Sequence, residues 1–119
     1  MHKHFGTKVD GFIDTIEKSS PEFAKVLVEF PFGELYSRDI LDDKTRELIT
    51  ISALTVLGYA LPELNLHVKA ALNCGATKLE VMEVITQMIA YCGFPAAINA
   101  LMTAKETFDK IDETSDSKL

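Results

Sequence analysis

The stretch KTRELITISALTVLGYALPELNLHVKAALNCGA, residues 44–76, decides the fold. Its apolar positions recur at helical intervals, no run alternates with a period of two, and no Asn-Gly hairpin turn divides it. Two helices are expected. Asp42 or Asp43 caps the first, which Gly58 and Pro62 bring to an end. Apolar residues occupy nearly every side of this helix, as expected in the middle of a bundle or between subunits. The second helix begins near Pro62 and stops at Gly75, a residue suited to the left-handed backbone that follows a helix.

Outward from this pair the pattern remains helical. A first helix is expected over about 8–18, with Phe12, Ile13 and Ile16 on one side and Gly11 weakening it. Ser20 then serves as N-cap and Pro21 takes the first helical position of a helix that should end before Pro31. PFGELYSRDILD, residues 31–42, is a connector turning at Gly33. TKLE at 77–80 is a capping box, followed by Val81, Met82, Ile85, Met88, Ile89 and Cys92 at helical spacing. GFP at 93–95 breaks the chain, and Pro95 starts a last helix. There Ala97, Ala100 and Ala104 permit close approach of a neighbour. The polar tail 112–119 is expected to fray. No repeat, linker or low-complexity segment divides residues 1–119, so a single domain is expected. Its class is all-α, an antiparallel bundle of about six helices. The apolar surplus on 43–59 and 79–92 exceeds what one small bundle hides, which points to a homo-oligomer.

The formal charge of −6 and the lack of a Lys/Arg cluster argue against nucleic acid or an anionic membrane as partner. MHKHFGTKVDGF lacks the apolar run of a signal peptide, and the apolar stretches look interrupted short of a membrane span, so a cytoplasmic location is expected. Cys74 and Cys92 lie 18 residues apart without a CxxC spacing and read as packed thiols. The HKH at 2–4 is expected to be solvated, because a metal site needs three or four fixed ligands. No metal site, phosphate loop or cofactor motif is expected.

Advancing 100° per residue along 62–74 puts His67 beside Glu63, Leu64, Ala70, Ala71 and Cys74, away from the polar side of Asn65, Lys69 and Asn73. The imidazole therefore points inward and needs a partner for its ring nitrogens. Glu63 is the local candidate. On the preceding helix, Glu47 shares a face with Ile51, Leu54 and Gly58. It fits either an exposed first helical turn, favoured by the helix dipole, or an inward position beside His67. Together an acid and an imidazole on successive helices are the minimum for proton transfer. The chain has only two arginines, Arg38 and Arg46, and the guanidinium fork suits carboxylates.

Residues 44–108 resemble the carboxymuconolactone decarboxylase family. The resemblance is carried by the Arg-Glu-Leu start of the central helix, Gly58, ELNLH, ALNCGAT, EVITQ and YCGFPAA, in order. The family core spans about 30–111. The resemblance implies an alkylhydroperoxidase-D-like fold and a homo-oligomer, a trimer or hexamer. It implies an active-site pocket lined by His67 and Glu47, with Arg46 contacting a substrate carboxylate and Tyr91 shaping the adjoining wall with Gly93, Pro95 and Ala96. The peroxidase branch of this superfamily carries CxxC shortly before a histidine, where this chain reads GYALPELNLH. A peroxiredoxin-type activity is thereby weakened, since attacking and resolving thiols must lie within disulfide reach. The decarboxylase branch implies a lyase without cofactor or metal, acting on a small carboxylated lactone or related acid. His67 would donate a proton or stabilise charge, Glu47 would orient it, and Arg46 would hold a carboxylate. A non-catalytic oligomeric scaffold is the other alternative.

Overall fold

The computed structural model describes residues 1–7 and 9–117, with side-chain surroundings as far as 113. Among these residues every regular element is helical: α1 His2–Phe5, α2 Val9–Ser19, α3 Pro21–Leu27, α4 Asp43–Leu57, α5 Leu61–Asn73 and α6 Lys78–Ser117. The architecture is all-α, as the periodicity predicts.

The capping chemistry sets most boundaries. Ser20 is extended and its Oγ accepts from the Phe23 amide at 3.2 Å, with Pro21 opening α3. Asp42, not Asp43, caps α4, accepting from the Thr45 amide at 2.7 Å. The capping box forms in both directions: the Thr77 amide donates to Glu80 Oε1 at 2.9 Å, and the Glu80 amide to Thr77 Oγ1 at 3.0 Å. Gly58 ends α4 at φ 79°, a left-handed conformation in which any side chain would be strained.

Two segments differ from the sequence reading. The chain does not leave helical geometry before Pro31; α3 widens at Leu27 into π-helical turns over Val28–Leu35. Proline lacks an amide hydrogen and its ring crowds the carbonyl one turn back, and a wider turn relieves that conflict. The Tyr36 amide reaches the Pro31 carbonyl at 2.8 Å, five residues back. In α6 the break expected at 93–95 is present, at Gly93 (φ 80°, ψ 169°), where arms 78–92 and 94–117 meet; the second difference lies at its end. The helix continues through Ser117 where fraying is expected; residues 118 and 119, and the expected helix start at Lys8, lie outside the described residues.

The core forms where α4, α5 and α6 pack on one another. Ile51 from α4, Leu64, Val68 and Ala71 from α5, and Val81, Ile85, Ala100, Ala104 and Phe108 from α6 are buried together. Each large aliphatic side chain here contributes about 1.5–3 kcal/mol by burial. The alanines of the second arm let the helices approach closely. By length and composition alone Lys78–Glu113 is long and apolar enough to cross a membrane; the non-helical Gly93 divides it into two arms, and both supply the shared core. The outer face of α4 stays apolar in the single chain, with Ile49, Val56 and Leu57 exposed.

Candidate active site

Glu47 enters on the first turns of α4, in register with Ile51 and Thr55, and is completely buried. A carboxylate withdrawn from water needs hydrogen-bond donors on its oxygens. Two imidazoles face them. His67 Nδ1 on α5 lies 2.7 Å from Glu47 Oε1, and His4 Nδ1 on α1 is hydrogen-bonded to Glu47 Oε2. The inward reading of both Glu47 and His67 therefore holds, and the partner of His67 is Glu47 rather than Glu63, which is exposed. Glu47 has no exposed surface, whereas the His67 side chain keeps 19% of its own. The imidazole thus bridges the buried acid and the outside.

His4 is the residue the sequence reading missed. It is expected to be solvated with the rest of HKH, yet it is 3% exposed. Its ring lies against Tyr36, centroids 5.0 Å apart and nearly parallel, and its Nε2 lies 3.2 Å from Asp43 Oδ1. The Asn73 amide donates to the His4 carbonyl at 2.9 Å, fixing the short helix to the end of α5. Phe5 turns its edge to His67 at 5.1 Å, and Phe32 closes the aromatic set against Phe5 and Tyr36. The π-helical segment is what delivers Phe32 and Tyr36 to this place.

The electrostatics favour charge on Asp43 and neutrality on Tyr36 and Cys74. Hydrogen bonding from the Lys3 ammonium, 2.5 Å from Asp43, and then from His4, holds the Asp43 carboxyl below the usual range. Burial pushes the Tyr36 phenol up, so it stays protonated; its hydroxyl is 3.3 Å from Thr50 Oγ1. Burial, reinforced by the negative charges of Glu47 and Asp43, pushes the Cys74 thiol up to about 11. A nucleophilic thiol needs the opposite environment. Cys74 and Cys92 are both free.

Arg46 does not join the Glu47–His67 contact. Its Nε donates to the Leu41 carbonyl at 3.2 Å and its Nη2 to the Arg38 carbonyl at 3.1 Å, bracing the connector into α4. Tyr91 stands at the end of the first arm of α6, 72% exposed in the single chain. Behind Asp43, an open cleft of about 560 Å³ is lined by Lys3, Arg38, Asp43, Lys44 and Cys74 among others. A recess of about 90 Å³ lies beside Phe5, bounded by Val9, Phe12, Leu66 and Lys69. Neither is lined by both Glu47 and His67. Among the described residues, no group of three or more His, Cys, Asp or Glu side chains is arranged to hold a metal ion.

The all-helical bundle holds a buried acid tied to a partly buried imidazole, an arrangement able to hold and pass a proton. The chain belongs to the carboxymuconolactone decarboxylase family, whose model matches residues 21–106. It is 39% identical over 115 residues to an uncharacterised 15.0 kDa protein from the nqo9-nqo10 intergenic region of Paracoccus denitrificans, covering 95% of this chain and 86% of that one. It is 35% identical over 100 residues to a 4-carboxymuconolactone decarboxylase of Acinetobacter baylyi, covering 84% and 74%. A nitrosuccinic acid decarboxylase of Metarhizium robertsii is 34% identical over 90 residues, covering 75% of this chain and 62% of its own length.

Proposed function

We propose that the protein is a decarboxylase-like lyase acting on a small carboxylated lactone or related acid. The observation that carries this reading is the 2.7 Å contact between Glu47 Oε1 and His67 Nδ1, with the acid buried and the imidazole reaching the surface. The family and its two decarboxylase-named relatives support the reaction class.

In this reading the bond between the substrate carbon and its carboxylate breaks. CO2 leaves, and the bonding electron pair passes into the conjugated system as an enolate. His67, with Nδ1 committed to Glu47, presents Nε2 to the substrate. The imidazolium form gives its Nε2 proton to the carbon and recovers one from water through its exposed edge. Glu47 stabilises the imidazolium and holds the ring in one orientation. Arg46 spends two of its five N–H donors on backbone carbonyls, which leaves others for a substrate carboxylate. Tyr91 forms part of the wall contributed by α6. We assign the exposed Ile49, Val56 and Leu57 on α4 to self-association into a trimer or hexamer.

The test is CO2 release from 4-carboxymuconolactone and from nitrosuccinate by the wild-type protein and by His67→Gln. Turnover of at least one compound is expected, falling about 10²–10⁴-fold in the variant with its circular dichroism unchanged. Full activity in His67→Gln, or no turnover of either compound by the wild type, overturns the assignment.

A further inference from the structure

The N-terminal helix supplies a second imidazole that the proton-transfer pair does not itself require. We propose that His4 is a positioning residue: by occupying Glu47 Oε2 it commits Oε1 to accept from His67, which locks the His67 ring in the tautomer that leaves Nε2 free for substrate.

The hydrogen-bond inventory around His4 carries the inference. Its ring faces Glu47 and Asp43 from α4, with the Tyr36 ring stacked on it. Lys3 comes from its own helix and pairs with Asp43; His67 from α5 shares Glu47; and Cys74 lies close enough to feel both carboxylates. Asp43 is held ionised and can only accept, so His4 Nε2 donates to it. One proton then remains for the line between His4 Nδ1 and Glu47 Oε2. If it rests on the ring, His4 is an imidazolium between two carboxylates. If it rests on the acid, Oε2 is the hydroxyl. In both assignments Glu47 Oε1 has no proton to give. His67 Nδ1 must therefore be the donor, and its Nε2 carries the exchangeable proton or lone pair.

Without His4 this reasoning fails. Glu47 could then carry a proton on Oε1 and donate it to His67 Nδ1, forcing the opposite tautomer and turning the protonated nitrogen outward. The arrangement works as a third group does in a catalytic triad, where the partner of the imidazole fixes its tautomer. Here the partner is itself fixed by a further residue. Four observations hold His4 in place independently of the shared acid: 3% exposure, the Asp43 contact, the Tyr36 stack and the Asn73 bond to its carbonyl.

The inference rests on the proposed proton-transfer role only for its consequence, since the tautomer is measurable without substrate. Protein labelled with 15N in histidine is examined by two-bond 1H–15N correlation across pH 5–9. In the wild type, neutral His67 is expected almost wholly in the Nδ1–H form, with His4 Nε2 protonated throughout. In His4→Gln the Nδ1–H population of His67 should fall to about half, and a return toward the wild-type spectrum is expected when imidazole is added to His4→Ala. Should His4→Gln fail to fold, His4→Phe keeps a ring against Tyr36 without either nitrogen, and the same loss of His67 tautomer preference is expected. A His67 tautomer ratio identical in wild type and in the folded variants overturns the proposal, whatever the decarboxylation assay returns. So does a wild-type His67 protonated mainly on Nε2.

Discussion

Replacing Glu47 tests whether the buried acid holds the two imidazoles or simply occupies a helix start. Glu47 has no exposed surface and shares one hydrogen bond with each ring. Hydrogen bonds to charged groups contribute about 1.5–3 kcal/mol each. Glu47→Gln keeps one acceptor oxygen but presents an amide N–H2 to the other ring. That ring can accommodate it only by giving up its own proton, so about one charge-assisted bond is lost, about 2 kcal/mol. Glu47→Ala loses both bonds and leaves a void beside Ile51, for a total of about 4 kcal/mol. For a chain of this size about 4 °C of Tm accompanies each kcal/mol, giving falls of about 8 °C and about 16 °C. The assay is thermal unfolding followed by circular dichroism at pH 7, at one fixed protomer concentration because assembly adds to apparent stability. An acid at an exposed first helical turn would contribute at most about 1 kcal/mol through the helix dipole. Both variants melting within about 3 °C of the wild type would refute the reasoning.

Three further outcomes are expected. Cys74 should react very slowly with iodoacetamide at pH 7, where a thiol with its value raised to about 11 is roughly one part in ten thousand ionised, and its rate should climb until pH approaches 11. Because folding disfavours its ionised form, stability should also decline as pH rises from the ordinary thiol range toward 11, a decline that Cys74→Ala removes; alkaline urea titrations of the two proteins check the sign. Gly93→Ala should cost about 1–3 kcal/mol by backbone strain alone, since a Cβ there would meet only Pro95 Cδ at 3.8 Å while φ 80°, ψ 169° suits glycine; chemical denaturation measures it.

The parts of this protein legible in the sequence are those fixed by local chemistry or strict periodicity. Ser20, Asp42, Gly58 and the Thr77–Glu80 box act over three or four residues, so their roles follow from spacing. The apolar arc around His67 turns it inward, whereas spacing leaves Glu47 open between a helix start and the interior; packing α4 against α5 settles it and brings the two together. His4 was not legible because its burial depends on contacts with residues 39, 43 and 69 positions away, and a four-residue helix leaves no periodic trace. The fate of Pro31 also escaped, since the sequence marks where an α-helix must yield without saying that wider turns will replace it. Arg46 shows what adjacency leaves out: its place beside Glu47 gives no sign that Nε and Nη2 brace the Leu41 and Arg38 carbonyls of the connector.

The short α1 helix has an evolutionary corollary. A helix of four residues cannot persist alone, so its structure is borrowed from the surface on which it rests. The family match begins only at residue 21, and the bundle core draws nothing from residues 1–7. A lineage can therefore rewrite this leading heptapeptide without disturbing the scaffold and still retune the acid at the heart of the site. Laboratory libraries confined to those positions, with His4 kept on the buried acid, would explore the same freedom.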